Sequence, residues 1–244
     1  MKVFMDPRTS VINKRLENID NIISVASGKG GVGKSLVASG LALLLSKKGY
    51  NVGLLDLDLY GPSTHTILGI TPKGFPEEDK GITPEVFHGI KYMSIVYFTE
   101  DKPGAFRGVD ISNIIIELLS ITQWKKMDYL IIDMPPGIGD ETLDVINLIE
   151  KSKFLVVTTS SKVSWNPVEK LLRILAEIKV PIAGIVENMK IENSDYIFDN
   201  IHKMNLKYLG SIAFDSDLEN CIGRPEELSM TGFMSDLQKI IKFL

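Results

Sequence analysis

A glycine-rich segment near the amino end, Gly28 to Ser35, constrains this chain more than any other feature of its sequence. The letters GKGGVGKS match the pattern G-x-x-x-x-G-K-[ST], which forms a loop around phosphate groups. An apolar run at residues 22–26 precedes the segment, and leucines at helical spacing follow it within residues 35–48. The segment therefore predicts a buried strand, a phosphate-binding loop and a helix in direct succession.

The glycines and the residues that end the loop have separate tasks in such a site. Glycine lets successive backbone N–H groups point at phosphate oxygens, where a side chain would block the approach. We expect the Lys34 ammonium to reach the β- and γ-phosphates and the Ser35 hydroxyl to bind Mg²⁺. Leu36 stands where a second hydroxyl is common, and it supplies only its backbone N–H. The candidate nucleotide-binding residues of the loop are Gly28, Lys29, Gly30, Gly31, Val32, Gly33, Lys34, Ser35 and Leu36.

Short apolar runs alternate with amphipathic stretches along the rest of the chain. This alternation is typical of an α/β fold with a mostly parallel, doubly wound sheet and helices on both faces, as in P-loop NTPases. We assign residues 1–20 to a polar lead-in, residues 71–89 to a long loop or a small excursion, and residues 21–244 to a single ATPase domain. The predicted strands are residues 22–26, 52–55, 90–98, 129–132, 154–158, 182–186 and 208–212. The predicted helices are residues 35–48, 111–121, 141–149, 168–178, 197–204 and 234–244.

Aspartates follow two of the predicted strands. Asp56 and Asp58 come after residues 52–55, and Asp133 follows residues 129–132. Ligands of open α/β sheets bind outside the carboxyl ends of the strands, so these carboxylates would face the same crevice as the phosphate loop. A carboxylate near Mg²⁺ or its water shell is what phosphoryl transfer requires. The alternative is that each aspartate caps a turn or a helix, as is common at strand ends.

The composition favours a cytoplasmic protein and gives no indication of nucleic-acid binding. Of the 244 residues, 44 % are hydrophobic and 24 % are charged, and the net charge of −4 leaves no basic excess for DNA or RNA. The lone cysteine, Cys221, excludes an internal disulfide and suits a reducing compartment. Residues 1–20 lack the apolar core of a signal peptide, and no apolar run is long enough to span a membrane.

The last predicted helix, at residues 234–244, admits two interpretations. Its apolar residues share one face at helical spacing, with Lys239 and Lys242 opposite them. Such a helix can lie on a membrane surface, but two lysines attract anionic lipid only weakly. We therefore favour a helix that packs its apolar face against the sheet.

Several motifs together resemble the Mrp family of ATPases, which are viewed as iron–sulfur cluster carriers. They are SGKGGVGKS, LLDLDLYGPS, GIKYMSI, FRG, MDYLIIDMPPGIGDETL and LGSIAFDSDLENCIGRP, spread over residues 20–228. YGPS and DMPPGIGD are fairly specific within a wider class that includes the Min division-site ATPase and the nitrogenase iron protein. The resemblance implies an ATP-dependent homodimer that hydrolyses ATP with Mg²⁺ and serves iron–sulfur cluster assembly together with an assembly partner or an apoprotein client.

The resemblance also implies roles for individual residues. Lys29 matches the lysine that reaches across a homodimer to the partner's nucleotide, and Asp58 matches the carboxylate that positions the attacking water. Asp56 lies in the same switch segment near Mg²⁺, and Asp133 matches the aspartate of the second switch near the metal. Asn188 matches a residue that hydrogen-bonds adenine. The candidate catalytic residues are Lys29, Lys34 and Asp58, and the candidate metal residues are Ser35, Asp56 and Asp133.

One departure from the family bears on the iron–sulfur cluster. Members that carry clusters place a C-x-x-C after the ENM segment, whereas residues 189–196 here contain no cysteine. A [4Fe–4S] cluster usually takes four thiolates, and a symmetric dimer of this chain offers two at most, from Cys221. We therefore expect the chain alone to hold no stable cluster, and any role in assembly to depend on thiolates that a partner supplies.

Two other functions could use the same loop. A Min-type ATP-dependent dimerisation switch positions a partner protein or binds a membrane, and the missing C-x-x-C favours it. A substrate kinase or synthetase would need a site for its acceptor, and the sequence contains no recognisable signature of one. The YGPS and DMPPG motifs favour the Mrp-type function over both.

Overall fold

The computed structural model describes residues 8–72, 74, 76–99, 108–191 and 194–242. The strands are β1 (Ile19–Ser27), β2 (Val52–Asp56), β3 (Glu85–Phe87), β4 (Ile90–Ser94), β5 (Met127–Asp133), β6 (Ser152–Thr159), β7 (Ile182–Lys190) and β8 (Tyr208–Ala213). They form one eight-stranded sheet in the order β3-β4-β2-β5-β1-β6-β7-β8. All neighbouring strands pair in parallel except β3, which pairs antiparallel with β4 at one edge. The predicted mostly parallel sheet is confirmed.

Helices connect the parallel strands, because a parallel pair requires a crossover. They are α1 (Arg8–Leu16), α2 (Lys34–Lys47), α3 (Thr64–Leu68), α4 (Val96–Thr99), α5 (Gly108–Ile121), α6 (Asp140–Leu148), α7 (Lys162–Glu177), α8 (Tyr196–Lys203), α9 (Pro225–Leu228) and α10 (Gly232–Ile241). A short 3₁₀ turn covers Leu218–Cys221. The central strand β2 is buried along its whole length, as an apolar strand between two helical layers must be.

The segment that the sequence analysis assigns to a polar lead-in contains helix α1. Ile12 and Leu16 lie one helical turn apart on this helix, and both side chains are buried. The helix packs mainly against α5. Two apolar residues in a short polar stretch give a weak helical pattern, so tertiary packing rather than local propensity accounts for this helix.

Two predicted elements near the sheet edge differ from the structure. The strand predicted at residues 90–98 ends at Ser94, and the short helix α4 follows it. The loop predicted at residues 71–89 contains the edge strand β3, which pairs with β4 through three residues. Such a short strand leaves no alternating pattern in the sequence, because its existence depends on the neighbouring strand.

Helix α7 begins at Lys162, well before the predicted start at residue 168. Proline disfavours the interior of a helix, because it has no backbone N–H and its ring clashes with the preceding turn. In the structure Pro167 lies inside α7, and Trp165 and Val168 on either side of it are buried. Burial of this apolar face outweighs the helix-breaking preference of one proline.

Helix α10 packs its apolar face on the domain itself. Phe233, Leu237 and Ile240 are buried, and the helix contacts β8 and α2. Gly40 permits this close packing, because a Cβ at that position would lie 2.9 Å from Cδ2 of Leu237. The structure thus agrees with the packing interpretation of the last helix. Within the described residues, no helix has both the length and the apolar character that a membrane span requires.

The parallel arrangement brings the candidate segments to one edge of the sheet. β1 lies between β5 and β6, and β5 lies between β1 and β2. In this register Asp56 at the end of β2 is opposite Asp133 at the end of β5. The phosphate loop follows β1 directly, so the carboxylates and the loop meet at the carboxyl edge. Of the FRG segment, Phe106 and Arg107 lie outside the described residues.

Candidate nucleotide-binding site

The loop between β1 and α2 borders an open cavity at the carboxyl edge of the sheet. Gly31 and Gly33 have φ angles of 77° and 80°, a left-handed conformation that glycine adopts readily. Helix α2 begins immediately after them, at Lys34. The cavity measures about 300 Å³ and is lined by Ser27, Lys29, Gly30, Gly31, Gly33, Lys34, Ser35, Leu36, Asp58, Ser63, Ile67 and Pro136. The predicted strand, loop and helix are present, and the loop meets the segment after β2 at this cavity.

The first glycine of the loop is required by packing against α7. A Cβ on Gly28 would overlap the backbone nitrogen of Val168 and would lie 2.5 Å from the carbonyl carbon of Pro167. By contrast, a Cβ on Gly30 would meet no atom within 4 Å. Backbone atoms cannot move aside as a flexible side chain can, so Gly28 fixes the loop against α7 while Gly30 borders open space.

Asn188, on β7, holds the phosphate loop through a hydrogen bond. This strand runs to Lys190, past the predicted end at residue 186, so Asn188 lies within the strand and not after it. Residues 187–188 are polar, yet both side chains are buried. Nδ2 of Asn188 donates a 2.9 Å hydrogen bond to the carbonyl oxygen of Val32. A Cβ on Gly33 would overlap that same nitrogen, so a glycine at this position leaves space for the hydrogen bond between Asn188 and Val32.

Lys34 and Asp133 form a buried ion pair beside the loop. Nζ of Lys34 lies 2.6 Å from Oδ1 of Asp133, and the exposed fractions of the two side chains are 6 % and 0 %. The same Nζ donates a 3.3 Å hydrogen bond to Oγ of Ser35. Burying either charge alone would be strongly unfavourable, so each group stabilises the other in this position.

The other oxygen of Asp133 lacks a partner. Oδ2 is buried and has no hydrogen-bond donor among the described residues. Burial raises the pKa of Asp133 to about 7. The charge of Lys34 lowers this pKa, and the charge of Asp56 raises it further. A buried acceptor without a donor is uncommon in folded proteins, so this oxygen marks a place where a further polar group fits.

Asp56 uses its carboxylate to shape the segment after β2. Oδ1 accepts a 3.0 Å hydrogen bond from the backbone N–H of Asp58. Oδ2 accepts from both the backbone N–H and the hydroxyl of Thr64, at 3.2 and 2.6 Å. Burial raises the pKa of Asp56, and the Thr64 hydroxyl and the charge of Lys34 lower it. This geometry matches the capping alternative for Asp56, and a direct bond to a metal would require some of these donors to leave.

Asp58 and Lys29 both lie on the cavity wall. Oδ1 of Asp58 accepts a 3.1 Å hydrogen bond from the backbone N–H of Gly61, so the carboxylate also closes a turn. The Lys29 ammonium makes no hydrogen bond or ion pair with the described residues. Within the described part of the chain, no carboxylate therefore forms an ion pair with Lys29.

Four lining residues were not predicted individually: Ser27, Ser63, Ile67 and Pro136. The Ser27 hydroxyl donates a 2.9 Å hydrogen bond to the carbonyl oxygen of Lys29, which holds the start of the loop. The YGPS and DMPPG motifs contain Ser63 and Pro136, so the motifs carried a signal for these two positions. Ile67 lines the cavity only because α3 turns back toward the loop, which no local pattern indicates.

Comparison with known proteins places this site in a family. A family model described as ParA, NUBPL iron-transfer P-loop NTPase, matches residues 18–242. The chain belongs to this family. The iron-sulfur cluster carrier protein of Saccharolobus solfataricus is 34 % identical over 257 residues, which cover 96 % of this chain and 87 % of that protein. The family resemblance inferred from the motifs is confirmed.

Two bacterial relatives of this NUBPL-type NTPase are longer proteins. The iron-sulfur cluster carrier protein of Pseudomonas fragi is 39 % identical over 179 residues, or 72 % of this chain. That of Aquifex aeolicus is 36 % identical over 241 residues, or 93 % of this chain. The chain spans 62 % and 66 % of the lengths of these two relatives.

Solved structures agree with the fold. A nucleotide-binding protein from Archaeoglobus fulgidus in complex with ADP is 30 % identical, has a TM-score of 0.75, and is matched over 97 % of this chain and 93 % of its own. The cell division ATPase MinD of Pyrococcus furiosus is 20 % identical with a TM-score of 0.67, over 92 % of this chain and 98 % of its own. The predicted P-loop NTPase fold is thereby confirmed.

Proposed function

We propose that this NUBPL-type NTPase binds ATP with Mg²⁺ and hydrolyses it. The observation that carries the proposal is the buried pair of Lys34 and Asp133, 2.6 Å apart beside a glycine loop and an open cavity. A buried ammonium at the start of a helix, next to a loop of backbone N–H groups, is suited to phosphate charge. Similarity to a nucleotide-binding protein in complex with ADP supports the same ligand class.

Nucleotide binding redistributes the partners of Lys34. Its ammonium turns from Asp133 to the β- and γ-phosphates, and the backbone N–H groups of residues 30–36, including that of Leu36, surround the phosphate oxygens. Asn188 keeps Nδ2 on Val32 and uses its carbonyl oxygen to accept from the adenine amino group. The loop is already fixed by Gly28 and Asn188, so little ordering remains to be done on binding.

The donor set at the cavity fits a magnesium ion bound to the phosphates. Oδ2 of Asp133 is a buried carboxylate oxygen without a hydrogen-bond partner among the described residues, and the Ser35 hydroxyl, on the first turn of α2, interacts with the same carboxyl group. We infer that Ser35 and Asp133 hold Mg²⁺ directly or through its waters, with Asp56 close to the same shell. When bound, Mg²⁺ neutralises the charge that develops on the phosphates.

Two residues on the cavity wall complete the hydrolytic site. Asp58 orients the attacking water, and the turn that its Oδ1 closes with Gly61 sets its direction. Lys29, whose charge is unpaired among the described residues, reaches the nucleotide of a second copy of the chain. An ammonium supplied across a dimer stabilises the transition-state charge only after the dimer has formed.

A homodimer formed through the carboxyl edge fits the surface there. Large apolar residues follow the ends of four strands and are strongly exposed: Tyr60 at 64 %, Val163 at 76 %, Ile191 at 79 % and Phe214 at 55 %. Several exposed apolar side chains on the edge that carries the site are compatible with a protein interface there. Dimerisation at this edge would bring both phosphate loops face to face.

We infer that the chain serves iron–sulfur protein assembly without holding the cluster itself. Its relatives are named cluster carriers, but Cys221 is half-buried on the 3₁₀ turn and packs against the hydrophobic core. No group of three or more histidine, cysteine, aspartate or glutamate side chains among the described residues could hold a metal. Of the two acidic residues in the segment that replaces the C-x-x-C, Glu192 lies outside the described residues and Asp195 precedes α8. The thiolates would then come from an assembly partner or an apoprotein client.

A Min-type dimerisation switch is the second candidate function. The observation that favours it is the absence of cysteine from residues 189–196. In this function the same ATP-dependent dimer positions a partner protein, and the iron–sulfur chemistry is lost. The two candidates share the nucleotide site and differ only in what the dimer recognises.

Anaerobic purification with iron and sulfide analysis separates the two candidates. We expect no stoichiometric cluster on the isolated chain, and we expect iron and sulfide to accompany it when an assembly partner co-purifies. The matched control is the Cys221→Ser variant, which should behave as the wild type does. A cluster that survives gel filtration and disappears in Cys221→Ser would contradict the proposal that the chain holds none.

A further inference from the structure

A second cleft lies at the edge of the sheet opposite the phosphate loop. It measures about 550 Å³ and is bounded by α1, by the turn at residue 80 and by the segment just before β5. The nine residues of β1 separate it from the phosphate loop, which is about 30 Å at about 3.3 Å per residue. This basic cleft is therefore distinct from the nucleotide site, and the proposed hydrolysis of ATP does not use it.

Positive charge collects in the basic cleft although the chain as a whole is acidic. Lys14, Arg15, Lys80 and Lys125 line it, together with the single carboxylate of Glu17. The ammonium groups of the three lysines make no hydrogen bond or ion pair with the described residues. The net charge of the whole chain is −4, so this local excess is not a general property of the surface. Neighbouring cations repel one another, and an anion bound among them would relieve that repulsion.

Arg15 is held rigidly at the wall of the cleft. Its Nε donates a 3.0 Å hydrogen bond to the carbonyl oxygen of Ser120, and its Nη2 donates one of 2.6 Å to that of Lys80. Gly81 permits this approach, because a Cβ there would lie 2.7 Å from Nη2. A guanidinium fixed in this way loses little conformational entropy when it binds a ligand.

Trp124 forms a buried part of the cleft wall. It lines the cleft, its side chain is buried, and its indole Nε1 has no hydrogen-bond partner among the described residues. Its carbonyl oxygen accepts a 2.9 Å hydrogen bond from Nζ of Lys91, which brings a further cation close to the cleft. Burial and the charge of Lys125 both lower the pKa of Lys91, as expected in a positive environment.

We propose that the basic cleft binds a small organic anion with two or more closely spaced negative charges, of the phosphate or carboxylate class. The cleft volume falls within the range of about 300–1,000 Å³ that is typical of small-molecule sites. Arg15 suits either group, because a planar guanidinium pairs with carboxylate and phosphate oxygens alike. Lys14, Lys80 and Lys125 supply point charges, and the buried Trp124 lies in the wall of the cleft.

The indole signals of the two tryptophans test this proposal directly. In ¹⁵N-labelled protein Trp124 and Trp165 each give one Nε1–H resonance, and the Trp165→Phe variant assigns them. Pyrophosphate and citrate are titrated separately, with ADP and Mg²⁺ in excess to saturate the phosphate loop. We expect a saturable shift of the Trp124 resonance with a dissociation constant of about 1 mM or tighter, while the Trp165 resonance does not move.

Matched double variants show whether the cleft lysines are responsible. Lys14→Gln with Lys125→Gln removes two charges from the cleft, whereas Lys170→Gln with Lys203→Gln removes two exposed charges elsewhere. We expect the first pair to weaken anion binding about tenfold or more and the second pair to leave it unchanged. If the double cleft variant folds poorly, Lys125→Gln alone should still weaken anion binding about threefold. This is about half of the change in binding free energy expected for the double variant.

The outcomes of the titration either support or overturn the proposal. A response to pyrophosphate alone assigns the phosphate class, and a response to citrate alone assigns the carboxylate class. A Trp124 resonance that neither probe moves overturns the proposal, as does equal weakening in both double variants. Since the phosphate loop is unchanged in every variant, the result does not depend on whether the chain hydrolyses ATP.

Discussion

Lys34 and Asp133 lie 2.6 Å apart and are both buried, and the charge of Lys34 opposes the effect of burial on the pKa of Asp133. The sequence predicted both residues as part of the site, through the loop motif and the aspartate at the end of a strand. It did not predict that they pair with each other, because the pairing depends on β5 lying beside β1 in the sheet. The contacts of Gly28 with α7 and of Asn188 with Val32 were missed for the same reason.

The raised pKa of Asp133 makes the stability of the nucleotide-free protein depend on pH. Between the ordinary value of 3.8 and about 7, the folded state keeps a proton on this carboxyl that the unfolded chain has lost. The stabilisation from Asp133 is therefore complete at low pH and is lost as the pH rises toward about 7.

Urea unfolding of the wild type and of Asp133→Asn measures this contribution. We expect the free energy of unfolding of the wild type, minus that of the variant, to fall between about pH 4 and about pH 7. Subtracting the variant removes the contributions of carboxyl groups that do not interact with Asp133. A difference that is constant or rises over this range would show that the pKa of Asp133 is not raised in the folded protein.

Two glycines of the loop should respond differently to the same substitution. Gly28→Ala forces a Cβ into the backbone of α7, so we expect it to lower the free energy of unfolding by about 1–3 kcal/mol or more. Gly30→Ala places its Cβ in open space and should change that free energy by less than about 0.5 kcal/mol. Urea unfolding without nucleotide provides the comparison, and equal effects in the two variants would contradict the packing role of Gly28.

At the scale of elements, the sequence predicted the central strands well because each is a continuous apolar run. It predicted the edges poorly, since β3 exists only through pairing with β4, and α1 only through packing on α5. The helix predicted at residues 168–178 omits the start of α7, which includes Pro167, and the strand predicted at residues 182–186 omits the end of β7, which includes the polar Glu187 and Asn188. In each case a tertiary contact outweighs the local preference.

Helix α10 should not recruit the protein to membranes. Its apolar face is already buried on β8 and α2, and transferring one side chain such as Leu237 to lipid would first remove about 1.5–3 kcal/mol of burial. We expect no cosedimentation with anionic liposomes in the presence of ATP and Mg²⁺. Pelleting that requires ATP and is lost in Lys239→Glu with Lys242→Glu would instead support a membrane-binding switch.

At the scale of the whole molecule, three features meet at the carboxyl edge of the sheet. They are the cavity, Lys29, which has no ion-pair partner among the described residues, and several exposed apolar side chains. A second copy of the chain on this edge would cover the apolar residues and give Lys29 a phosphate to bind. We expect Asp58→Ala to bind ATP but hydrolyse it slowly, and therefore to have twice the 27.1 kDa mass of the chain in light scattering with ATP and Mg²⁺. The same protein with Lys29→Ala added should remain at the mass of one chain, and an Asp58→Ala protein that stays monomeric at saturating ATP would rule out the dimer.

ATP binding and hydrolysis by wild type and Lys34→Ala test the central claim most directly. This substitution removes the positive charge that we propose contacts the β- and γ-phosphates. It also leaves the buried Asp133 without its ion-pair partner. Phosphate release with Mg²⁺ and equilibrium binding of labelled ATP are measured side by side, with the exposed Lys170→Ala as the control for a lost lysine. We expect Lys34→Ala to release no phosphate above background and to bind ATP at least about a hundredfold more weakly, while Lys170→Ala matches the wild type. A Lys34→Ala protein that hydrolyses ATP at the wild-type rate would contradict the assignment of the site.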